Sequence, residues 1–218
     1  MPFVTNTVET AELGQAELDR LLKDPKAAIE YRILRATRRL LADKGLQISV
    51  DEIAEVAEVG RRTVFRYFES RDALVARALE GSLDRFYAQV TENASTDMPL
   101  DQWLHNLVAS LAQSQLRAGA ALWQLAAAHD SDLPDPIAKI NRKRRASRKK
   151  STREIASQAW VRAGGGGELP PDIELAFAHA VSAFTVQSLN VDYGATFDDA
   201  VAVVTAQLVA LLRTRVAQ

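Results

Sequence analysis

The apolar positions of the chain recur at three- and four-residue intervals along most of its length, the spacing of helices that bury one face. Asp24-Pro25 reads as a helix N-cap followed by proline at the first helical position. Ile29, Ile33, Thr37, Leu40 and Leu41 then keep one face, with Arg32, Arg35, Arg38 and Arg39 mostly off it. Lys44-Gly45 supplies the stop, a cation in the last turn and glycine just beyond. Ser49 and Glu52 have the spacing of a capping box. A short helix with Ile53, Val56 and Ala57 on its inner side follows, then the tight link Glu58-Val59-Gly60 and a second short helix from Arg61 to Tyr67. A long helix starts near Arg71 and carries Leu74, Ala78, Leu79, Leu83, Phe86 and Val90 inward.

Beyond Met98-Pro99 the pattern predicts helices over 100–116, 119–129, 136–163, 171–190 and 197–216. Arg117-Ala118-Gly119, Pro134/Pro136, Gly164–Gly167 with Pro170-Pro171, and Asp192-Tyr193-Gly194 separate them. No strand-like alternation and no repeat interrupts this series, so the fold class is all-α. Before Asp24 the pattern is weak; Leu13, Leu18, Leu21 and Leu22 fit either a short helix or a tail.

The 218 residues are 47% hydrophobic and 25% charged, a balance that buries a core. The chain has no cysteine, which removes disulfides and cysteine-based metal sites and makes a cytoplasmic location the expectation. Its first residues lack a signal-peptide pattern, and its longest apolar stretch, Val201 to Leu212, is shorter than the roughly 20 residues that span a membrane. Three histidines without metal-ligand spacing, and a glycine run without the lysine of a phosphate-binding loop, argue against an enzyme. No catalytic residue, metal ligand or cofactor is expected.

Net charge is −1, unevenly spread. Residues 139–153 hold nine basic side chains and no acid, whereas 168–218 hold two basic and six acidic ones. Residues 141–154 also lack any large apolar side chain, so Lys139 to Arg153 is expected to project. Two readings stand: a solvated face, or a second contact to DNA or to an anionic ligand such as a nucleotide-bearing thioester.

The segment ISVDEIAEVAEVGRRTVFRYFESRDAL, Ile48 to Leu74, has the layout of a helix-turn-helix. Ile53, Val56, Ala57, Val59, Val64 and Phe68 are spaced to share a small core, which leaves Arg61, Arg62, Thr63, Arg66 and Tyr67 outward. Arginines can grip guanine edges in the major groove, and the hydroxyls of Thr63 and Tyr67 suit phosphates.

From Ser49 through Leu74 this stretch resembles the DNA-binding domain of the TetR family of regulators, at some dozen positions of fixed spacing. The chain departs from the family at Glu58, where glycine is usual, and at Gly60, where serine caps the second helix. Glu58 is therefore expected to hold a left-handed backbone at a cost of about 1 kcal/mol, and the recognition helix to be less rigid or to read bases mainly through Arg61 and Arg62. The resemblance implies phosphate contacts at Thr63, Tyr67 and Arg71. Ser49 is first a cap, and its neighbour Val50 is expected to approach the DNA backbone.

The resemblance further implies an N-terminal extension (1–24), a helix-turn-helix DNA-binding domain (25–70) and a regulatory and dimerisation domain (71–218). The protein is then expected to be a ligand-responsive regulator, a repressor released from a palindromic double-stranded operator by a small-molecule effector. An architectural DNA-binding protein without ligand control is the alternative. In the regulatory domain, Trp103, Trp123 and Phe184 are candidate walls of an effector cavity, and His105 and Gln187 candidate orienting groups. Phe177, Val181 and Phe184 on one helix, and Val201, Val204, Leu208 and Leu211 on another, have the spacing to form a homodimeric four-helix bundle.

Overall fold

The computed structural model describes residues 23–80 and 98–218. Within them all regular structure is helical. Helix α1, Pro25–Lys44, begins where Asp24 accepts a hydrogen bond from the Lys26 amide and ends at Gly45. Helix α2, Val50–Val56, opens on the complete capping box of Ser49 and Glu52. Helix α3, Arg61–Tyr67, follows a tight turn, and α4 occupies 71–80. Then come α5, Leu100–Ala127; a single 3₁₀ turn, Asp130–Asp132; α6, Asp135–Arg162; α7, Pro171–Ala180; α8, Ala183–Val191; and α9, Phe197–Val216. Expectations for residues 1–22, and for Leu83, Phe86 and Val90, lie outside the described residues.

Two boundaries differ from the sequence pattern. The break foreseen at Gly119 is a kink inside one helix: Gly119 has φ 61° and ψ −150°, and α5 runs on to Ala127. A Cβ there would stand 2.2 Å from the carbonyl oxygen of Ala42 on α1, so glycine serves both the kink and the crossing of the two helices. The single helix expected over 171–190 is two, because Val181 leaves helical geometry and Ser182 caps α8 by accepting from the Phe184 amide.

The apolar side chains form two clusters. In the first, Ile33, Ile53, Val64 and Leu74 of α1 to α4 pack with Leu125 of α5 and Ile137 of α6. In the second, Trp103 and Leu104 from the first half of α5 pack with Ala156 of α6, Phe177 of α7 and Val204 and Leu212 of α9. Helix α5 therefore belongs to both, its ends on opposite sides of the Gly119 kink. Arg213 of α9 pairs with Asp101 of α5 at 2.8 Å, and Arg215 with Asp172 of α7 at 2.7 Å, which fixes the C-terminal end of α9 against the second cluster.

Candidate nucleic-acid interface

The helix-turn-helix rests on a small set of buried residues: Ile53, Ala54 and Ala57 from α2, and Val64 with Phe68 at the end of α3. Val59 packs beside them half-buried, but Val56 faces outward with 42% of its surface exposed. The turn is a Schellman arrangement, in which the Val59 amide donates to Ala54 and the Glu58 amide to Glu55. Glu58 holds φ 52°, the left-handed value expected for it.

A residue not considered for this role stabilises that conformation. The Arg32 guanidinium of α1 donates to the carbonyl oxygens of Ala57 (2.6 Å) and Glu58 (3.0 Å), and lies 3.4 Å from the Glu58 carboxylate. A cation on the last carbonyls of α2 satisfies groups the helix end leaves open. The turn is thus braced from outside, in contrast to the looser recognition helix inferred from Glu58 and Gly60. Gly60 itself caps α3 without a side-chain bond. The signal was a basic position 26 residues upstream, off the buried face of α1, with nothing local to connect it to the turn.

On α3, Arg61, Arg62 and Arg66 are exposed, while Thr63 and Tyr67 are half-buried. Arg61 is held by Asp51 of α2 at 2.7 Å and sits 5.4 Å from the ring centre of Phe65, which is itself 43% exposed. Arg66 lies over the ring of Tyr67 at 5.5 Å. Arg62 has no ion pair among the described residues. Ser49 is exposed at the start of α2, engaged in its cap with Glu52.

Two candidate DNA contacts are corrected. Val50 is buried at 7% exposure in the first cluster, so its side chain is not presented to a phosphate. Arg71 directs its guanidinium into the protein: Nε donates to the carbonyl of Ile48 at 2.8 Å, a second nitrogen to that of Leu46, and the third to Asp72 at 2.6 Å. It ties the α1–α2 link to the start of α4 rather than reaching outward.

The basic helix is corrected as well. Arg144 is buried, donating to the Asn141 side chain at 2.9 Å and to the carbonyl of Leu125 at 3.2 Å. Arg142 and Arg145 flank Asp130, Lys143 meets Glu80 of α4 at 3.0 Å, and Arg153 meets Glu174 of α7 at 3.3 Å. Arg148 donates to the carbonyl of Ala178 near the end of α7. The stretch lacks large apolar groups because its inner side chains, Arg144 and Arg148, bond to neighbouring elements, while Lys149, Lys150 and Arg153 keep to the solvated side.

The candidate effector residues do not converge. Trp103 and Trp123 stand toward opposite ends of α5, on either side of the Gly119 kink. Trp103 is a core residue at 1% exposure, under Arg162 at 5.0 Å, and His105 points to solvent. Trp123 does meet Phe184, ring centres 6.1 Å apart, and half-buried Gln187 lies one turn further along α8. The dimer stripe is also largely spent within one chain: Phe177, Val201, Val204 and Leu208 are at most 2% exposed in the second cluster, with Val181 and Leu211 half-buried against it. Of that set Phe184 alone is exposed, at 46%. The faces left to solvent instead carry Leu175, Val191 and Val203.

Among the described residues no helix is long and apolar enough to cross a membrane, and no group of His, Asp or Glu could hold a metal ion. Sequence comparison with curated proteins gives no match. The fold is shared with a transcriptional regulator from Rhodococcus sp. (TM-score 0.62, 19% identity, 83% of this chain and 96% of that one). It is shared also with the regulator FadR of Bacillus subtilis, solved in complex with stearoyl-CoA (0.59, 14%, 84% and 97%). A third is a TetR/AcrR-family regulator of Thermobifida fusca (0.58, 17%, 83% and 96%). Residues 33–78, which run from the buried face of α1 through the helix-turn-helix into α4, match the bacterial regulatory proteins of the tetR family. By this match residues 33–78 carry the DNA-binding domain of the tetR family, and the all-helical region behind it has the fold of those solved regulators.

Proposed function

We propose that the protein represses transcription by binding a palindromic operator as a homodimer, and that a small-molecule effector releases it. The observation that carries this reading is the outward face of α3. Arg62 and Arg66 stand exposed on a helix whose opposite side is pinned by Val64 and Phe68, so their donors are presented by a fixed scaffold. Thr63, Tyr67 and Ser49 flank them at positions suited to phosphate. The division at residues 24 and 70 belongs to the same reading, with 71–218 as the regulatory and dimerisation part. Dimerisation would use the outer faces of α7 to α9, where Leu175, Val191 and Val203 are exposed, and would set two copies of α3 roughly 34–36 Å apart.

For the effector, the Trp123–Phe184 pair, with Gln187 one turn along α8, is the favoured seat, and the stearoyl-CoA of the Bacillus subtilis neighbour makes a long-chain acyl thioester the first class to test. Selection of bound sequences from a random duplex pool should return two inverted half-sites, and the Arg62→Ala variant should return a degenerate motif. A wild-type selection without sequence enrichment would overturn the reading. Stearoyl-CoA should weaken operator binding, and operator should weaken stearoyl-CoA binding by the same factor. Equal operator affinity with and without it would remove that effector class.

A further inference from the structure

Helix α1 carries a second set of outward arginines, which the DNA-contacting face of α3 does not include. Arg32, Arg35 and Arg39 recur along one side of α1, and together with Val56, Ala57 and Ala36 they line a cleft of about 150 Å³ between α1 and the end of α2. Arg32 already braces the turn through Ala57 and Glu58. Arg35 is exposed and has no ion pair among the described residues, and Arg39 reaches only Asp43, at 4.0 Å and largely in solvent. One carboxylate, Glu58, stands at the rim, 3.4 Å from Arg32 and with 86% of its side chain exposed.

Three arginines thus line a concave surface with a single, solvent-screened acid. A surface ion pair of that kind is weak, so it is a poor competitor for the forked donors of arginine. The ligand chemistry those donors suit is a phosphate oxyanion, accepting bidentate, charge-assisted hydrogen bonds. Ala36 and Val56 form part of the floor, and the rest of the lining is polar.

The geometry points to this cleft as a phosphate site, held by Arg35 and Arg39 with Arg32 as its fixed end. Its source is either a DNA backbone phosphate or a free phosphate compound. The DNA form rests on the function proposed above: Glu58 precedes the N-cap of α3 by two residues, so a phosphate in the cleft would lie beside the groove that α3 enters. Glu58 would then act as a gate, its carboxylate ceding Arg32 to the incoming anion.

The test uses the full chain as wild type, R35Q/R39Q, E58Q and, as a control elsewhere on the surface, K149Q. Arg32 is left intact because the turn depends on it. Binding to a random-sequence duplex pool is measured against salt, and melting temperature against inorganic pyrophosphate, with urea unfolding confirming that each variant is folded. If the phosphate belongs to DNA, R35Q/R39Q should make the salt slope shallower by about one unit, while K149Q leaves it unchanged. If it is free, the slope stays and pyrophosphate stabilises the wild type but not R35Q/R39Q. In both cases E58Q should strengthen binding. The site is overturned if R35Q/R39Q changes neither the slope nor the pyrophosphate response while α3-dependent DNA binding persists. A wild type that ignores DNA yet responds to pyrophosphate through Arg35 and Arg39 would keep the site and remove the regulator reading.

Discussion

Helices α3 and α6 are both rich in arginine, and the structure treats them oppositely. On α3 the cations are exposed, and Arg62 has no ion pair among the described residues. On α6 they are bound to Asp130, Glu80, Glu174 and the carbonyls of Leu125 and Ala178. A helix dense in cations is not thereby a polyanion site. What separates the two is the supply of acceptors: α6 crosses the acidic and carbonyl-bearing ends of its neighbours, whereas on α3 Arg61 alone meets an acid among the described residues, Asp51 of α2.

The largest consequence falls on α6. Arg144→Ala should destabilise the fold by about 3 kcal/mol, because it deletes two hydrogen bonds from a buried charged donor at roughly 1.5 kcal/mol each. Urea unfolding would measure this, and an unchanged midpoint would mean that the buried arginine is dispensable and the contrast with α3 false. Next is Arg62→Ala, which should leave the unfolding midpoint in place and weaken operator binding by about 1–3 kcal/mol. A loss of stability with unaltered DNA preference would put Arg62 in the class of Arg144.

Arg71 tests the comparison from inside the DNA-binding unit. Its donors face the carbonyls of Leu46 and Ile48, so it belongs with the arginines of α6 although it lies next to α3 in sequence. Arg71→Ala should lower stability by roughly 1–2 kcal/mol, the worth of two hydrogen bonds from a partly exposed cation, and leave the salt slope of DNA binding unaltered. A shallower slope at constant stability would restore it as a phosphate contact.

The elements that were legible in the sequence are those whose signals are local. The caps at Asp24 and Ser49, the stop at Gly45 and the left-handed Glu58 each involve residues within a few positions of one another. The Arg32 brace, the inward turn of Arg71 and the pairing of α6 depend on neighbours far away in the chain, and no periodicity reports them. The dimer stripe failed for a related reason. A run of apolar residues at helical spacing says that one face is covered, but not whether the cover comes from the same chain, as it does for Phe177 and Val204. Of the three aromatic side chains expected to wall a cavity, Trp123 and Phe184 meet from different helices, whereas Trp103 lies toward the other end of α5.

The smallest effect concerns two carboxylates, each held by a lysine from another element, Glu52 on α2 within the helix-turn-helix and Glu80 on α4 facing α6. Lys44 Nζ lies 2.7 Å from Glu52, and Lys143 Nζ 3.0 Å from Glu80. The hydrogen bond from Lys44, aided by the amide and hydroxyl of Ser49, holds the Glu52 carboxyl down at about 2, against an ordinary value of 4.5. Lys143 likewise lowers that of Glu80. Both groups are depressed in the folded chain, so their contributions are complete above the ordinary glutamate value and fade as pH falls below it. For Glu52 that window runs from 4.5 down to about 2. Because Glu52 is solvent-accessible, its share of the acid sensitivity is modest. Glu52→Gln removes the titration while its amide oxygen can still accept from Ser49, and Glu80→Gln does the same for the α4–α6 link. Unfolding midpoints followed through the acid window should fall less steeply in each variant than in the wild type. If only Glu80→Gln flattens the profile, acid acts on the joint between α4 and α6 and not on the helix-turn-helix. If neither does, both lysine pairs are ornaments of the surface, and the stability of this fold rests on its neutral carbonyl acceptors and its two apolar clusters.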